Sequence, residues 1–363
     1  MQLKPVSTAL ILLSMLLSGC GGRIAAPSSA LPLASKNNPV PASKSDPPFA
    51  YVAQRCQSSS SCQSPNGLVQ MLGGAAITSD VENPTALALD GSGNLYVGNS
   101  TTSNQGDVSV YAAKSANPLR ILSGITGVPK GLVADAAGHL FVVAQYRSGC
   151  CQIEGTGGIY APGGTKPRHS LKGLSGFAHS PVLDESGNLY VGNFAVFPGW
   201  VSVYAHGRHV PSGVINEGIG LPIQLAIAPN GDLVVLNGLF SGGYNVVVYP
   251  VGQSAPSLTI TAGLHAATAV AVDADGNIYV ANGRDRKGHG SITVYRNGQT
   301  TLWRTIHGIP FPAALAFDGS GRLYVANAPR KGASSIAVFA AGGSKPIHTY
   351  QLTEQFAALA VPH

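Results

Sequence analysis

One pattern of alternating hydrophobic and polar positions recurs along the chain from Pro84 onward. Its clearest copy runs from the alternating segment 313–317 through the polar turn 318–322 into the hydrophobic segment 323–326. A further alternating segment at 335–339 and a last one after Lys345 complete the copy. A period of two is typical of half-buried β-strands, so each copy predicts four short strands, called a to d here in chain order.

A glycine in the turn between strands a and b marks each of six copies, which follow one another at intervals of 44 to 49 residues. These glycines are Gly93, Gly138, Gly187, Gly231, Gly276 and Gly321. Strand a is rich in alanine, which suits strands crowded around an axis. Strand d opens near a proline in five copies, as expected of an edge strand. These prolines are Pro118, Pro167, Pro211, Pro256 and Pro346. Radial repetition of four-stranded units predicts an all-β protein, a β-propeller.

The repeat, Pro-x-x-Leu-Ala-x-Asp-x-x-Gly-Asn-Leu-Tyr-Val-Ala, resembles that of the NHL-type β-propeller family over residues 84–361. More distantly, the chain resembles the SMP-30/gluconolactonase-like and streptogramin-lyase-like propellers. The resemblance implies the fold, but the NHL family includes binding scaffolds as well as enzymes.

The number of blades depends on the two ends of the chain. Residues 357–361 resemble a seventh strand a, residues 49–54 resemble strand b, and residues 67–74 resemble strand c with its exit turn. We therefore expect seven blades, the last one built from both termini so that no sheet edge is left open. The alternative is six blades with a decorated N-terminus.

The N-terminus predicts export. Lys4 precedes an apolar segment, 9–17, that is too short for an ordinary transmembrane helix. The following Leu-Ser-Gly-Cys resembles a bacterial lipobox, which implies a signal peptide at 1–19 and acylation of Cys20. Residues 20–48, rich in Pro and Ser, predict a flexible tether, and residues 49–363 the propeller. We expect a lipid anchor in the bacterial cell envelope, at the outer membrane because Gly21 rather than Asp follows the cysteine. The alternative is an ordinary secretory signal with a chance cysteine.

Composition narrows the class of protein. Only 10% of the residues are charged, while Gly numbers 46 and Pro 25. This disfavours helical bundles and coiled coils, and the 44% hydrophobic content disfavours disorder. The net charge of +6 over 363 residues is modest, so we expect no nucleic-acid partner.

Four cysteines remain once Cys20 is acylated. An even number in an exported chain suggests oxidation, and we predict a disulfide between Cys56 and Cys62. Cys150 and Cys151 form a strained vicinal disulfide or stay as free thiols. No histidine stands at ligand spacing beside them, so we expect no zinc site.

Two sets of polar residues repeat in almost every copy, which is typical of a structural role. The first set, in the a–b turn, is Asp90, Asp135, Asp184, Asp273 and Asp318; the second, at the end of strand b, is Asn99, Asn193, Asn237, Asn282 and Asn327. An aspartate in such a turn satisfies local backbone N–H groups. A catalytic residue should instead break the repeat, and we assign none.

The b–c loops are the candidate recognition surface, because they share a face with the channel mouth where propellers usually bind ligands. We predict ligand binding by aromatic and basic residues of these loops: Phe194, Phe197, Trp200, Phe240, Tyr244, Arg284, Arg286, Lys287, Arg330 and Lys331. Arg55 begins the equivalent loop of the closing blade. The alternative for the basic residues is that they form a solvated rim without a ligand. The alternative for the aromatic residues is that they fold down and cover the tops of the blades.

These observations predict an envelope lipoprotein whose propeller is a non-catalytic binding module, without a cofactor, for a protein, glycan or small molecule. The alternative is a metal-dependent lactonase of the SMP-30/gluconolactonase type. Its carboxylate ligands have no match here, because the acids outside the turns are scattered: Glu82, Asp107, Glu154, Glu217 and Asp285. We also find no histidine pair on adjacent inner strands for a streptogramin-lyase-like site. A third possibility is a structural part of an envelope complex.

Overall fold

The computed structural model describes residues 49–55, 67–149, 152–283, 289–329 and 333–362. These residues form 28 β-strands in seven four-stranded antiparallel sheets. The seven-bladed propeller is thereby confirmed, and the six-bladed alternative is wrong. No helix occurs in these ranges, hence none long and apolar enough to cross a membrane.

The blades are numbered from the N-terminus, and their strands are given from the channel outward. Blade 1 contains β28 (Gln355–Ala360), β1 (Tyr51–Arg55), β2 (Leu68–Met71) and β3 (Ala76–Ile77). Blade 2 contains β4 (Ala86–Leu89), β5 (Leu95–Ser100), β6 (Gly106–Tyr111) and β7 (Pro118–Leu122). Blade 3 contains β8 (Val128–Ala134), β9 (Leu140–Ser148), β10 (Gln152–Tyr160) and β11 (His169–Ser170). Blade 4 contains β12 (His179–Leu183), β13 (Leu189–Asn193), β14 (Trp200–Tyr204) and β15 (Gly213–Ile215).

The last three blades follow the same order. Blade 5 contains β16 (Leu221–Ile227), β17 (Leu233–Gly238), β18 (Tyr244–Tyr249) and β19 (Leu258–Ile260). Blade 6 contains β20 (Ala267–Val272), β21 (Ile278–Asn282), β22 (Gly290–Tyr295) and β23 (Leu302–Ile309). Blade 7 contains β24 (Pro312–Phe317), β25 (Leu323–Asn327), β26 (Ser335–Phe339) and β27 (Pro346–Gln351). The innermost strands contact one another in cyclic order around the channel.

Blade 1 closes the ring with strands from both ends of the chain. Its innermost strand, β28, pairs with β1 so that Tyr51 faces Ala360 and Arg55 faces Gln355. This confirms the strand assignments made for the two termini. All the strands that close the ring lie between residues 49 and 362.

The hydrophobic core is divided among the contacts between neighbouring blades. Between blades 1 and 2, for example, Val69 packs with Leu87 and Val97, and between blades 7 and 1 Tyr324 packs with Val52. Small and β-branched side chains on both faces of each sheet fill these layers, as the alternating pattern predicts. Each pair of neighbouring blades is therefore joined by its own buried layer.

In blades 2 to 6 a tyrosine ends strand c and ties the blade to the segment that enters it. Tyr204 Oη donates to the carbonyl oxygen of Lys172 at 2.6 Å. Equivalent bonds join Tyr111 to Ser79, Tyr160 to Ser123, Tyr249 to Glu217 and Tyr295 to Ala262. A buried hydroxyl usually finds such a partner, which explains why an aromatic residue with a polar end recurs here.

The repeated aspartates have the structural role predicted for them. The carboxylate of Asp90 accepts hydrogen bonds from the backbone N–H groups of Ser92 and Asn94, each at 2.9 Å, and from Tyr96 Oη. The equivalent residues that accept turn hydrogen bonds are Asp135, Asp184, Asp273 and Asp318. Their carboxylates are thus occupied within the turns.

Candidate functional site

One end of the channel is formed by the starts of the innermost strands. His179 at the start of β12 faces Gly192 near the end of β13, and Gln355 at the start of β28 faces Arg55 at the end of β1. This end therefore also carries the b–c loops. We call it the channel mouth.

Polar side chains near the channel mouth mostly bind the backbone of the next blade. Three such bonds join blades 4 to 5, 5 to 6 and 6 to 7. They are Ser180 Oγ accepting from Leu225 N at 2.9 Å, Gln224 Oε1 accepting from Val270 N at 2.9 Å, and Thr268 Oγ1 donating to Pro312 O at 2.7 Å. Each polar residue lies at or beside a β-bulge of its strand. These groups hold the ring together and are not available to a ligand.

Lys130 stands at the corresponding bulge of β8, between Pro129 and Gly131. Pro129 packs closely on blade 2, because a Cβ on Gly106 would lie 2.4 Å from Pro129 Cδ. Gly131 packs closely on blade 4, because a Cβ there would lie 2.1 Å from Pro181 Cδ. The backbone that carries Lys130 is therefore fixed by both neighbouring blades.

The ammonium group of Lys130 breaks the pattern set by its neighbours. It makes no hydrogen bond or ion pair within the described ranges, although the side chain is half-buried. Burial, and after it the charge of Arg55, lowers the pKa of Lys130 to about 8. Arg55 belongs to blade 1 and Lys130 to blade 3, and the effect of the Arg55 charge on Lys130 indicates that the two cations lie within electrostatic range of each other at the channel mouth.

His179 lies on β12, the inner strand next to that of Lys130. Its ring packs on Gly192, where a Cβ would lie 3.2 Å from ring atoms. Its Nδ1 is buried and has no hydrogen-bond partner among the residues that the structure describes. Burial lowers the pKa of His179, against the opposing effect of backbone groups of Pro222 and Gly192. Burial of the ring therefore disfavours the imidazolium form.

Three of the predicted aromatic residues come together beside His179. Phe194, Phe197 and Phe240 form a row, with ring centroids 6.5 Å and then 5.2 Å apart, and Phe177 extends it at 6.5 Å from Phe194. Phe197 and Phe240 are 41% and 68% exposed, whereas Phe194 is buried beneath them. We call these four residues the aromatic row.

The other two predicted aromatic residues lie apart from this row. Trp200 is half-buried, and its indole N–H donates to Ser202 Oγ at 3.2 Å. Tyr244 is half-buried and packs on the core between blades 5 and 6. Both side chains therefore pack against the blades, which is the alternative given for the aromatic residues in the sequence analysis.

Several predicted residues fall outside the described ranges. These are the basic residues Arg284, Arg286, Lys287, Arg330 and Lys331, the acylation site Cys20, and the cysteines Cys56, Cys62, Cys150 and Cys151. Of the proposed basic rim, the structure describes Arg55 alone, and it places that residue at the channel mouth.

The prediction that the acids outside the turns are scattered is wrong for Glu82 and Asp107. Together with Asp80 they line a cavity of about 280 Å³, which is formed by the segment that leads from blade 1 into blade 2 and by strands β5, β6 and β7 of blade 2. Burial raises the pKa of Asp107, a hydrogen bond from Asn99 opposes this, and Asp80 adds to the rise. Even so, the described residues contain no group of three His, Cys, Asp or Glu placed to hold a metal ion.

The asparagines at the end of strand b are structural in most blades, as predicted. Asn99 Oδ1 accepts from the N–H of Glu82 at 3.1 Å, and its Nδ2 donates to Ser109 Oγ at 2.9 Å. Asn193 and Asn282 make equivalent bonds. Asn237 departs from the prediction, because neither of its amide atoms has a partner in the described part of the chain. For Nδ2 the reason is local, because Val247 replaces the hydroxyl residue of strand c that accepts this bond in other blades.

The fold is shared with proteins of known structure. A proposed 6-phosphogluconolactonase from Bacteroides fragilis superposes with a TM-score of 0.65 and 14% identity, over 88% of this chain and 99% of that one. A second, from Bacteroides uniformis, gives 0.63 and 14%, over 86% and 99%. Hydrazine synthase from Kuenenia stuttgartiensis gives 0.60 and 13%, over 72% and 78%. Comparison with protein-family models and with curated protein sequences gave no match. At this identity the likeness shows a β-propeller and no particular chemistry.

Sequence reasoning missed Lys130 and His179. The available signal was an ionisable side chain at one position of strand a, where Lys130 and His179 stand in two successive copies and Thr, Ile or Ala stands in the other four. That both side chains lie at the channel mouth follows only from the bulges, which shift the register of the inner strands.

Proposed function

We propose that this chain is a binding module of the cell envelope that takes an anionic ligand at the channel mouth. The observation that carries the proposal is the half-buried ammonium of Lys130, which has no partner among the described residues. Buried charges in proteins are normally paired. A carboxylate or phosphate of the ligand supplies the missing partner, and the guanidinium of Arg55 suits the geometry of either group.

The lowered pKa of Lys130 also supports anion binding at the channel mouth. Burial and Arg55 both disfavour the charged amine, so an anion that enters the channel mouth relieves a cost already present in the fold. Ser180, Gln224 and Thr268 are hydrogen-bonded between blades, whereas the ammonium of Lys130, like Nδ1 of His179, has no partner among the described residues. An exception to a structural repeat is where we expect function.

The test is calorimetric titration of residues 46–363, which contain the whole ring, with glucose 6-phosphate, gluconate and uncharged glucose. We expect the anions to bind and glucose not to. Lys130→Gln should weaken anion binding roughly tenfold to a hundredfold, since a hydrogen bond to a charged group contributes about 1.5–3 kcal/mol. Lys345→Gln, at an exposed position before the outer strand β27, is the matched control and should bind as the wild type does. Equal binding by Lys130→Gln and the wild type would contradict the proposal.

A second candidate is hydrolysis of an anionic lactone, which the structural likeness to the two Bacteroides proteins favours. Lys130 would hold the anionic group while the imidazole of His179 takes a proton from the attacking water. The water oxygen bonds to the lactone carbonyl carbon, the ring C–O bond breaks, and the proton passes to the ring oxygen to give a hydroxy acid. The metal-dependent form finds no ligand set in the described residues.

This candidate is tested with 6-phosphogluconolactone, whose opening is followed against the spontaneous rate. A wild-type acceleration that His179→Asn abolishes, while glucose 6-phosphate binding persists, would establish the lactonase. If the wild type does not accelerate the opening, the lactonase activity is excluded and the binding module remains the proposed function.

We also propose that the module is NHL-like and is anchored through acylated Cys20 at the outer membrane, with a Cys56–Cys62 disulfide. The supporting evidence is the lipobox-like sequence, the tether and the repeat. Cys20→Ser should move the protein from the membrane fraction to the soluble fraction. Peptide mass mapping without reduction should recover the Cys56–Cys62 pair; separate free thiols would contradict it.

A further inference from the structure

We infer that the ligand is a single-chain amphiphile, whose anionic head group sits at Lys130 and Arg55 and whose alkyl chain lies along the aromatic row. This inference rests on the proposed function and names its ligand class. It depends on the cationic mouth and the exposed apolar row being parts of one continuous surface.

The continuity is provided by the segment that leads into β12. Gln145 of blade 3 donates through Nε2 to the carbonyl oxygen of Ala178 at 2.9 Å, between Phe177 and His179. The N–H of Phe177 donates to the carbonyl oxygen of Phe194 at 2.8 Å, where the aromatic row continues. The row therefore begins two residues from His179, beside the blade that carries Lys130.

The far end of the row is exposed and apolar. Val196 is 72% exposed next to Phe197, and Phe240 of blade 5 reaches the ring of Phe197 across the blade boundary at 5.2 Å. Large apolar side chains grouped on loops over a rigid scaffold indicate a binding surface. Cations at one end and apolar rings at the other match a molecule with an anionic head and an apolar tail.

The geometry favours a single molecule over a bilayer surface. Lys130 is half-buried at the bulge of β8, whereas Val196 and Phe240 are 72% and 68% exposed on the loops. A flat membrane would meet the loop tips before an anionic head group reached Lys130. A detached alkyl anion can enter the channel mouth and lay its chain outward over the rings.

The experiment measures the affinity of residues 46–363 for butyl, octyl, decyl and dodecyl phosphate, each below its critical micelle concentration. Full burial of a methylene contributes about 0.8 kcal/mol, so on this partly exposed row we expect affinity to rise about twofold per methylene. Lys130→Gln should weaken the whole series by one common factor. The double variant Phe197→Ser/Phe240→Ser should flatten the dependence on chain length and keep butyl phosphate binding. Ile121→Ser, which removes an exposed apolar side chain from the outer strand β7, is the control and should change nothing.

The outcomes separate this inference from the proposed function. Equal affinity for butyl and dodecyl phosphate would overturn the amphiphile and leave the anion site in place. Absence of binding by any of the phosphates would overturn both. Tighter binding to anionic phosphatidylglycerol vesicles than to monomeric dodecyl phosphate would overturn the single-molecule assignment. The wild-type series decides the matter even if a variant fails to fold.

Discussion

Replacing Lys130 with methionine should stabilise the protein while removing its anion binding. Methionine keeps an unbranched apolar stem and deletes the ammonium group. The pKa of Lys130 falls from 10.5 to about 8 in the fold. At about 1.4 kcal/mol per pKa unit, this shift costs the charged form roughly 3 kcal/mol. Because the side chain is only half-buried, solvent screening reduces the expected gain to about 1–3 kcal/mol near pH 7.

The pH dependence distinguishes this effect from better packing. The folded-state pKa lies below the unfolded-state value, so between about pH 8 and 10.5 the unfolded chain binds more protons at this site. The wild type should therefore recover stability across that window, and the advantage of Lys130→Met should shrink to nearly nothing at its upper end. The comparison with the wild type cancels the titration of other groups.

The assay is urea denaturation of the wild type, Lys130→Met and the control Lys345→Met at pH 7, 8.5 and 10. The control should match the wild type at each pH, because Lys345 is exposed. Two results would refute the reasoning: no gain in the free energy of unfolding for Lys130→Met at pH 7, or a gain that stays constant up to pH 10.

Anion affinity should fall as pH rises through about 8, because Lys130 of the free protein loses its proton there. Calorimetry with glucose 6-phosphate at pH 7 and 9 measures this, and equal affinities at the two pH values would contradict it. Tyr204→Phe should lower the free energy of unfolding by about 1 kcal/mol, because the carbonyl of Lys172 loses its partner, while anion binding stays unchanged in titration. Burial acts to raise the pKa of Asp318, but hydrogen bonds from Arg322 and Ser320 outweigh it and lower the pKa. Asp318 therefore contributes stability that is present above its unfolded-state pKa and lost as pH falls through the folded-state value. Asp318→Asn should flatten that acid limb of the stability curve in denaturant titrations. The EDTA-treated protein should show no saturable thermal shift with Ca²⁺, Mg²⁺, Mn²⁺ or Zn²⁺, and a clear shift with one metal would favour the metal-dependent lactonase.

Almost all of the architecture could be predicted from the sequence, because the sequence pattern of one blade occurs in six copies. A strand pattern that recurs with its turn residues specifies a blade, and the leftover strands at the two termini specify the closing one. The turn aspartates were recognisable for the same reason, since each makes the same local bond in successive blades. Repetition makes structural roles visible.

The candidate site could not be predicted in the same way, because a site is formed by departures from the repeat. Lys130 differs from the residues at its position in other copies, but one residue carries no periodicity. Its proximity to Arg55 depends on ring closure, which brings blade 1 next to blade 2 and places two cations far apart in sequence over one channel. The aromatic row likewise depends on loop conformation: Phe197 and Phe240 meet across a blade boundary, while Trp200 and Tyr244 turn toward the blades.

The most direct test of the account is the pKa of Lys130 itself, with and without an anion. Competitive labelling of amines with isotope-coded acetic anhydride across pH 6–11, read by mass spectrometry, gives this value for each lysine separately. We predict a pKa near 8 for Lys130 in the free protein and an upward shift in saturating glucose 6-phosphate, with Lys345 unaffected. A Lys130 pKa near the ordinary 10.5 that does not respond to the anion would contradict the claim that the channel mouth binds anions.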